Sequence, residues 1–161
     1  MTVNEYNICV DKYSDGLFRF ILKNIRDVDD ARDVVQDTFE KLWIKAAEVS
    51  FDKAKTYMFT AAYHTMIDKI RKEKRQISVE EVRIPQLSHE KQYSDLQEVL
   101  HRAIENLPEI QRSVILLRDY EGYSYEEIGE ITNLTESQVK VYIYRARVFL
   151  KNYIGSIENV I

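Results

Sequence analysis

Apolar residues recur along this chain in steps of three and four almost throughout, the spacing that lines one side of an α-helix. Tyr6, Val10, Tyr13, Leu17, Phe20 and Ile21 predict a first helix whose inner face is interrupted by Gly16. Ala31, Val34, Val35, Thr38, Phe39, Leu42, Trp43 and Ala46 predict a second, a single amphipathic stripe without a miss. A third helix, from about Lys53 to Lys74, carries Tyr57, Met58, Phe59, Ala61, Ala62, Tyr63, Met66, Ile67 and Ile70, which spread beyond one stripe. That is more aromatic surface than a small bundle can bury.

The periodicity then lapses. Residues 77–95 lack a sustained stripe, contain Pro85 and are mildly acidic, which predicts a flexible linker. Helical spacing returns with Leu96, Val99, Leu100, Ala103, Ile104 and Leu107. Pro108 restarts the chain at a first-turn position, and Ile110, Val114, Ile115 and Leu117 continue towards Tyr120.

Residues 122–147 spell out a helix-turn-helix. Gly122 suits a left-handed stop, and Ser124 followed by Glu127 is a capping box that opens a short helix at about Ser124. Ile128 and Ile131 form its buried side, Gly129 leaves room for a close neighbour, and Asn133 tolerates the positive φ of a tight turn. A second cap follows at Thr135 with Gln138. Val139, Tyr142, Ile143, Ala146 and Leu150 are the core stripe of the last helix. Its other faces carry Glu136, Ser137, Gln138, Lys140, Val141, Tyr144, Arg145 and Arg147. Polar side chains at the start of such a helix reach base edges in a major groove, and the later cations hold phosphates. The predicted fold class is all-α: two small helical domains, residues 1–76 and 96–161, joined by the linker, the second carrying the helix-turn-helix.

Composition narrows the function. Pro and Gly number only 2 and 4, and no Gly-rich phosphate loop stands out. Cys9 is alone, so no disulfide framework exists and a reducing compartment fits. With no apolar run long enough to span a bilayer and no signal-peptide pattern, the expected location is the cytoplasm, without membrane insertion.

A net charge of −4 predicts weak DNA binding by the unaided chain, since phosphate contacts supply most nonspecific affinity. The charge is segregated, however. Residues 69–75 carry five basic side chains and one acid, whereas 27–40 holds Asp27, Asp29, Asp30, Asp33, Asp37 and Glu40 against Arg32 alone. Aromatic rings followed by a basic tract suit a single nucleic-acid strand, each stacked base contributing roughly 1–3 kcal/mol.

Catalytic readings find no support. His64, His89 and His101 are scattered, with no Cys or carboxylate pair at metal spacing, and no nucleophile-base set can be named. The Asp cluster lacks the Gly and closing Glu of a calcium loop. No metal, cofactor or small-molecule substrate is expected.

The residues carry a family resemblance. Asp30 through Trp43, Asp-Ala-Arg-Asp-Val-Val-Gln-Asp-Thr-Phe-Glu-Lys-Leu-Trp, resembles the polymerase-binding helix of the extracytoplasmic-function group of bacterial sigma factors. Leu107 to Arg112, Tyr123 to Ile128, and Val139-Lys140 through Arg145-Ala146-Arg147 are similar to that family's promoter-reading domain. The likeness runs in order from about Tyr13 to Leu150. It implies a specificity subunit that joins core RNA polymerase and performs no chemistry of its own.

The same resemblance implies the sites. Asp33, Gln36, Asp37, Glu40, Lys41 and Trp43 would meet core polymerase. Lys53, Lys55, Tyr57, Tyr63, His64, Asp68, Arg71 and Lys72 would open and hold the minus-ten element as a melted strand. Thr135, Glu136, Ser137, Gln138, Lys140, Val141, Tyr144 and Arg145 would read the duplex minus-thirty-five element. An anti-sigma factor is a further expected partner. The chain departs from the family pattern with Tyr57, Tyr63 and His64 where Trp, Arg and Asn are frequent, and with Tyr142 where an Arg is common. The rival reading is a stand-alone helix-turn-helix regulator that binds duplex DNA as a dimer.

Overall fold

The computed structural model describes residues 1–77 and 96–160, and these are helical with no strand among them. The expected linker at 77–95 lies outside the described residues, except for the backbone of Ile77.

Local chemistry sets the helix ends. In α1 (Val3–Ile25) the Thr2 hydroxyl accepts from the Glu5 amide at 3.1 Å while the Thr2 amide donates to the Glu5 carboxylate at 2.8 Å. Arg26, in the left-handed conformation at φ 60°, stops it. The Asp27 carboxylate then accepts from the Asp30 amide at 3.0 Å and starts α2 (Val28–Ile44). This helix ends before Ala46, the last residue of the predicted stripe. A 3₁₀ turn at Phe51–Lys53 leads into α3 (Ala54–Ile77).

These three helices pack pairwise around Leu17, Phe20, Ile21, Val34, Leu42, Met58 and Met66. One member of the α2 stripe lies outside this core: Trp43 is 52% exposed. It sits where the helix runs past the bundle, edge-on to Tyr6 at 5.0 Å.

The second unit comprises α4 (Leu96–Glu105), α5 (Glu109–Ile115), α6 (Tyr125–Thr132) and α7 (Glu136–Val160), with α4, α5 and α6 all packed on α7. Pro108 caps α5, where its missing N–H is not needed. The predicted continuation to Tyr120 is present as a π-helical turn, Leu116–Tyr120. Gly122 follows at φ 76° and Asn133 at φ 60°, the two left-handed positions the sequence pattern demanded.

The two units are seated on each other, α3 against α6 and α1 against α5. Phe59 meets Phe20 at 5.9 Å on one side and Tyr123 at 5.2 Å on the other. The surplus aromatic surface of α3 is therefore covered by the second unit rather than left to solvent. Polar groups close the joint. Arg112 Nε and Ser113 Oγ both donate to Asn24 Oδ1, at 2.9 and 3.3 Å, and the Arg19 guanidinium grips both Glu121 oxygens at 3.0 Å. Burial pushes the Arg112 guanidinium below its ordinary pKa, and the Arg26 charge adds to this.

Burial, with the Glu109 charge second, pushes the Tyr63 phenol up to about 12. Tyr123 is raised as well, by burial and then by Glu127 and Glu121. A raised folded-state pKa leaves stability intact below pH ~10, where both states are neutral; above it the unfolded chain ionises first. Tyr63 alone is expected to remove on the order of 2–3 kcal/mol between pH ~10 and ~12. Urea midpoints at pH 8 and pH 11 check this, and equal midpoints would contradict the burial of both phenols.

Candidate polymerase and nucleic-acid interfaces

The acidic side of α2 is one continuous surface. Asp33, Gln36, Glu40, Lys41 and Trp43 are exposed and Asp37 is half-buried, at helical steps that keep them on adjoining faces. Lys41 is fixed by Asp37 at 3.0 Å and by the Thr65 hydroxyl at 2.9 Å, which anchors this face to α3. Tyr6 donates its hydroxyl to the Phe39 carbonyl at 3.0 Å and backs Trp43 with its ring. The rigid indole beside spaced carboxylates is suited to a protein partner.

Helix α3 divides the strand candidates between two faces. Tyr57, His64, Asp68 and Arg71 recur at steps of seven, four and three, so they share one side; Tyr57 is half-buried and the other three are exposed. Lys53 and Lys72 are exposed near the two ends of this surface. Lys55 and Tyr63 belong to the opposite side. Tyr63 is 5% exposed, its ring 5.3 Å from that of His64, and Lys55 lies over the Tyr123 ring at 4.5 Å. A cavity of about 560 Å³ opens at the start of α3, lined by Val49, Ser50, Lys53, Tyr57, Thr60 and, from α6, Glu130. The Asp30–Lys69 ion pair at 3.3 Å ties the start of α2 to the far end of α3.

The helix-turn-helix is built by its caps. Ser124 and Glu127 exchange hydrogen bonds at 3.1 Å, each backbone amide donating to the other's side chain. Thr135 and Gln138 do the same across the start of α7, at 2.9 and 3.2 Å. Those two side chains thus position the helix as well as face outward. Beyond them Glu136, Ser137, Lys140, Val141, Tyr144 and Arg145 are exposed on the outer half of α7. Lys140 pairs with Glu136 at 3.5 Å, and Arg145 lies 6.0 Å from the Tyr142 ring. Arg147 is differently employed, bonded to Asp119 at 3.0 Å so that α7 is tied to the π-helical turn.

Arg118 and Tyr125 escaped the sequence reading. The Arg118 guanidinium stacks on the Tyr125 ring at 4.4 Å and donates to the Tyr123 carbonyl at 2.9 Å, and Lys140 lies 5.6 Å from the same ring. Two cations therefore share one aromatic plate beside the outward face of α7. The seven-residue gap from Arg118 to Tyr125 was the available signal, but it crosses a π turn and a left-handed glycine, where helical arithmetic fails.

Residues 9–76 match the family described as Sigma-70 region 2, and residues 97–150 match Sigma-70 region 4. "RNA polymerase sigma factor SigV" of Bacillus subtilis is 30% identical over 86% of this chain and 84% of its own. The chain belongs to the extracytoplasmic-function sigma factors of bacterial RNA polymerase. A further relative, "ECF RNA polymerase sigma factor SigM" of the same organism, is 28% identical over 94% of both chains. Among solved structures, the sigma factor RpoE in complex with the anti-sigma factor NepR from Bartonella quintana superposes with a TM-score of 0.80 and 26% identity, covering 95% of this chain and 98% of that one. CnrH in complex with the cytosolic domain of CnrY shares the fold, at a TM-score of 0.68 and 20% identity. This sigma factor therefore confers promoter-specific initiation on the polymerase, and the dimeric stand-alone regulator is not favoured. No helix among the described residues is long and apolar enough to cross a membrane.

Proposed function

We propose a division of labour in which residues 1–76 bind core polymerase and the minus-ten element and residues 96–161 bind the minus-thirty-five element. The α2 surface from Asp33 to Trp43 meets the polymerase. Tyr57, His64, Asp68, Arg71 and Lys72, with Lys53, Lys55 and Tyr63, take the melted strand. The outer half of α7 enters the major groove, where Glu136, Ser137 and Gln138 stand nearest base edges while Lys140 and Arg145 hold phosphates. The observation that carries this reading is the exposed row from Glu136 to Arg145, presented on a helix whose start is fixed by the Thr135–Gln138 cap. The protein acts in the cytoplasm, supplies no catalytic group, and is held inactive by an anti-sigma factor. The complexes of RpoE and CnrH support that last partner.

Co-elution of the purified chain with core polymerase, followed by transcription from a promoter library, tests the whole reading; failure to associate, with tight binding to duplex DNA alone, would overturn it. Within it, Lys140→Ala is expected to weaken promoter binding by the holoenzyme and to lower the salt slope of log affinity by about one counterion, because one phosphate contact is lost. An unchanged slope removes Lys140 from the interface.

A further inference from the structure

The strand side of α3 is partly occupied from within the chain. Tyr123, from the turn ahead of α6, is 1% exposed, with Phe59 at its edge and the Lys55 ammonium over its ring. Helix α6 follows it onto α3, and Glu130 stands in the wall of the same cavity as Lys53, Tyr57 and Thr60. An acidic helix bearing Glu126, Glu127 and Glu130 thus lies where a phosphate backbone would run if bases stacked on Tyr57 and Tyr63. Charge of the same sign as the nucleic acid excludes it electrostatically, and the Tyr123 ring excludes it sterically.

We propose that the second unit is an internal stopper of the strand surface, with Tyr123 and α6 holding the ground of the melted strand in the free chain until the two units part. This rests on the strand reading of α3 given above. Geometry demands the parting. Promoter elements about 25 base pairs apart lie roughly 85 Å from each other along B-DNA. A compact chain of this length has a radius of gyration of only about 15 Å. The seated form therefore cannot reach both elements, while the residues between Ile77 and Leu96 allow a separation of up to roughly 60 Å.

The joint is also made to release. The Tyr123 hydroxyl is buried with no hydrogen-bond partner among the described residues, which opposes closure. Arg19 and Lys23 lie at the edge of the joint, gripping Glu121 and standing 3.5 Å from the Tyr120 ring; both contacts are replaceable by water. On opening, Asn24, Arg112 and Ser113 regain water, so their buried hydrogen bonds add little net preference for the closed form.

Gly16 offers a wedge. A Cβ there would stand 3.0 Å from Glu121 Oε1, so Gly16→Leu drives a side chain into the joint while improving the helix propensity of α1. Tyr123→Phe acts in the opposite sense by removing the unpartnered hydroxyl. Full-length wild type and both variants are compared by small-angle scattering and by anisotropy with a fluorescent mixed-sequence single strand of about 20 nucleotides. Gly16→Leu is expected to expand at unchanged helical content and to bind the strand about tenfold more tightly, as the competent fraction rises. Tyr123→Phe is expected to stay compact and bind no better than wild type. If Gly16→Leu keeps wild-type dimensions, or expands without gaining affinity while still losing binding on Arg71→Ala, the stopper is overturned and the strand surface stands. If Arg71→Ala has no effect in the Gly16→Leu background, the strand reading falls, and the stopper with it.

Discussion

Gly129→Val is expected to destabilise the second unit by about 3 kcal/mol and to abolish promoter binding. A Cβ at this position would stand 2.8 Å from the Leu134 carbonyl oxygen, a backbone atom that cannot swing aside as a side-chain tip would. The Gly129 carbonyl itself accepts from the Asn133 and Leu134 amides, so the same residue supports the turn from both directions. Relief of the clash must open that turn and tilt α7, the helix holding every proposed minus-thirty-five contact. Two branches at Cβ leave no rotamer that avoids the crowding. Thermal unfolding with promoter binding by the holoenzyme checks it. A variant that melts and binds like wild type would mean that α6 and α7 are not as close as described.

Trp43→Ala is expected to weaken core polymerase binding by about 30-fold, roughly 2 kcal/mol, while leaving most of the stability of the first unit in place. The half-exposed indole rests on Tyr6 and contributes little to the core beneath it, so truncation empties no cavity. A rigid aromatic framed by Glu40 and Lys41 has the character of an interface anchor, the kind of residue in which binding energy concentrates. Urea unfolding and polymerase titration separate the two effects. A large loss of stability with normal affinity would return Trp43 to the core and displace the proposed contact surface.

Much of this was legible because helices are local. The Ser124–Glu127 cap, the left-handed Gly122 and Asn133, and the Thr135–Gln138 pair depend on residues within four positions of each other, and each is present as the pattern required. The stripes of α1, α2 and α7 were readable for the same reason, since burial of one face repeats with the helical period. Trp43 shows where that logic ends. Periodicity says which residues share a face, but not how far along the helix its neighbours extend.

The candidate sites divide along the same line. The outward row of α7 follows from its cap and period. On α3, the period alone could not say whether Phe59 and Tyr63 face core, strand or a second domain, because all three satisfy an apolar or aromatic position equally well. Arg118 and Tyr125 were hidden by the π turn and Gly122 between them, which break the count that sequence reasoning relies on.

The sequence by itself determined the helices, their caps, the helix-turn-helix and the family to which the chain belongs, all of which rest on contacts between near neighbours in the chain. Only the tertiary structure decided that the two units sit together, that Tyr123 enters the first of them, and that Asn24 meets Arg112. Those contacts join residues about 60 to 90 positions apart, and their pairing depends on how two finished surfaces match in shape and charge rather than on any local period.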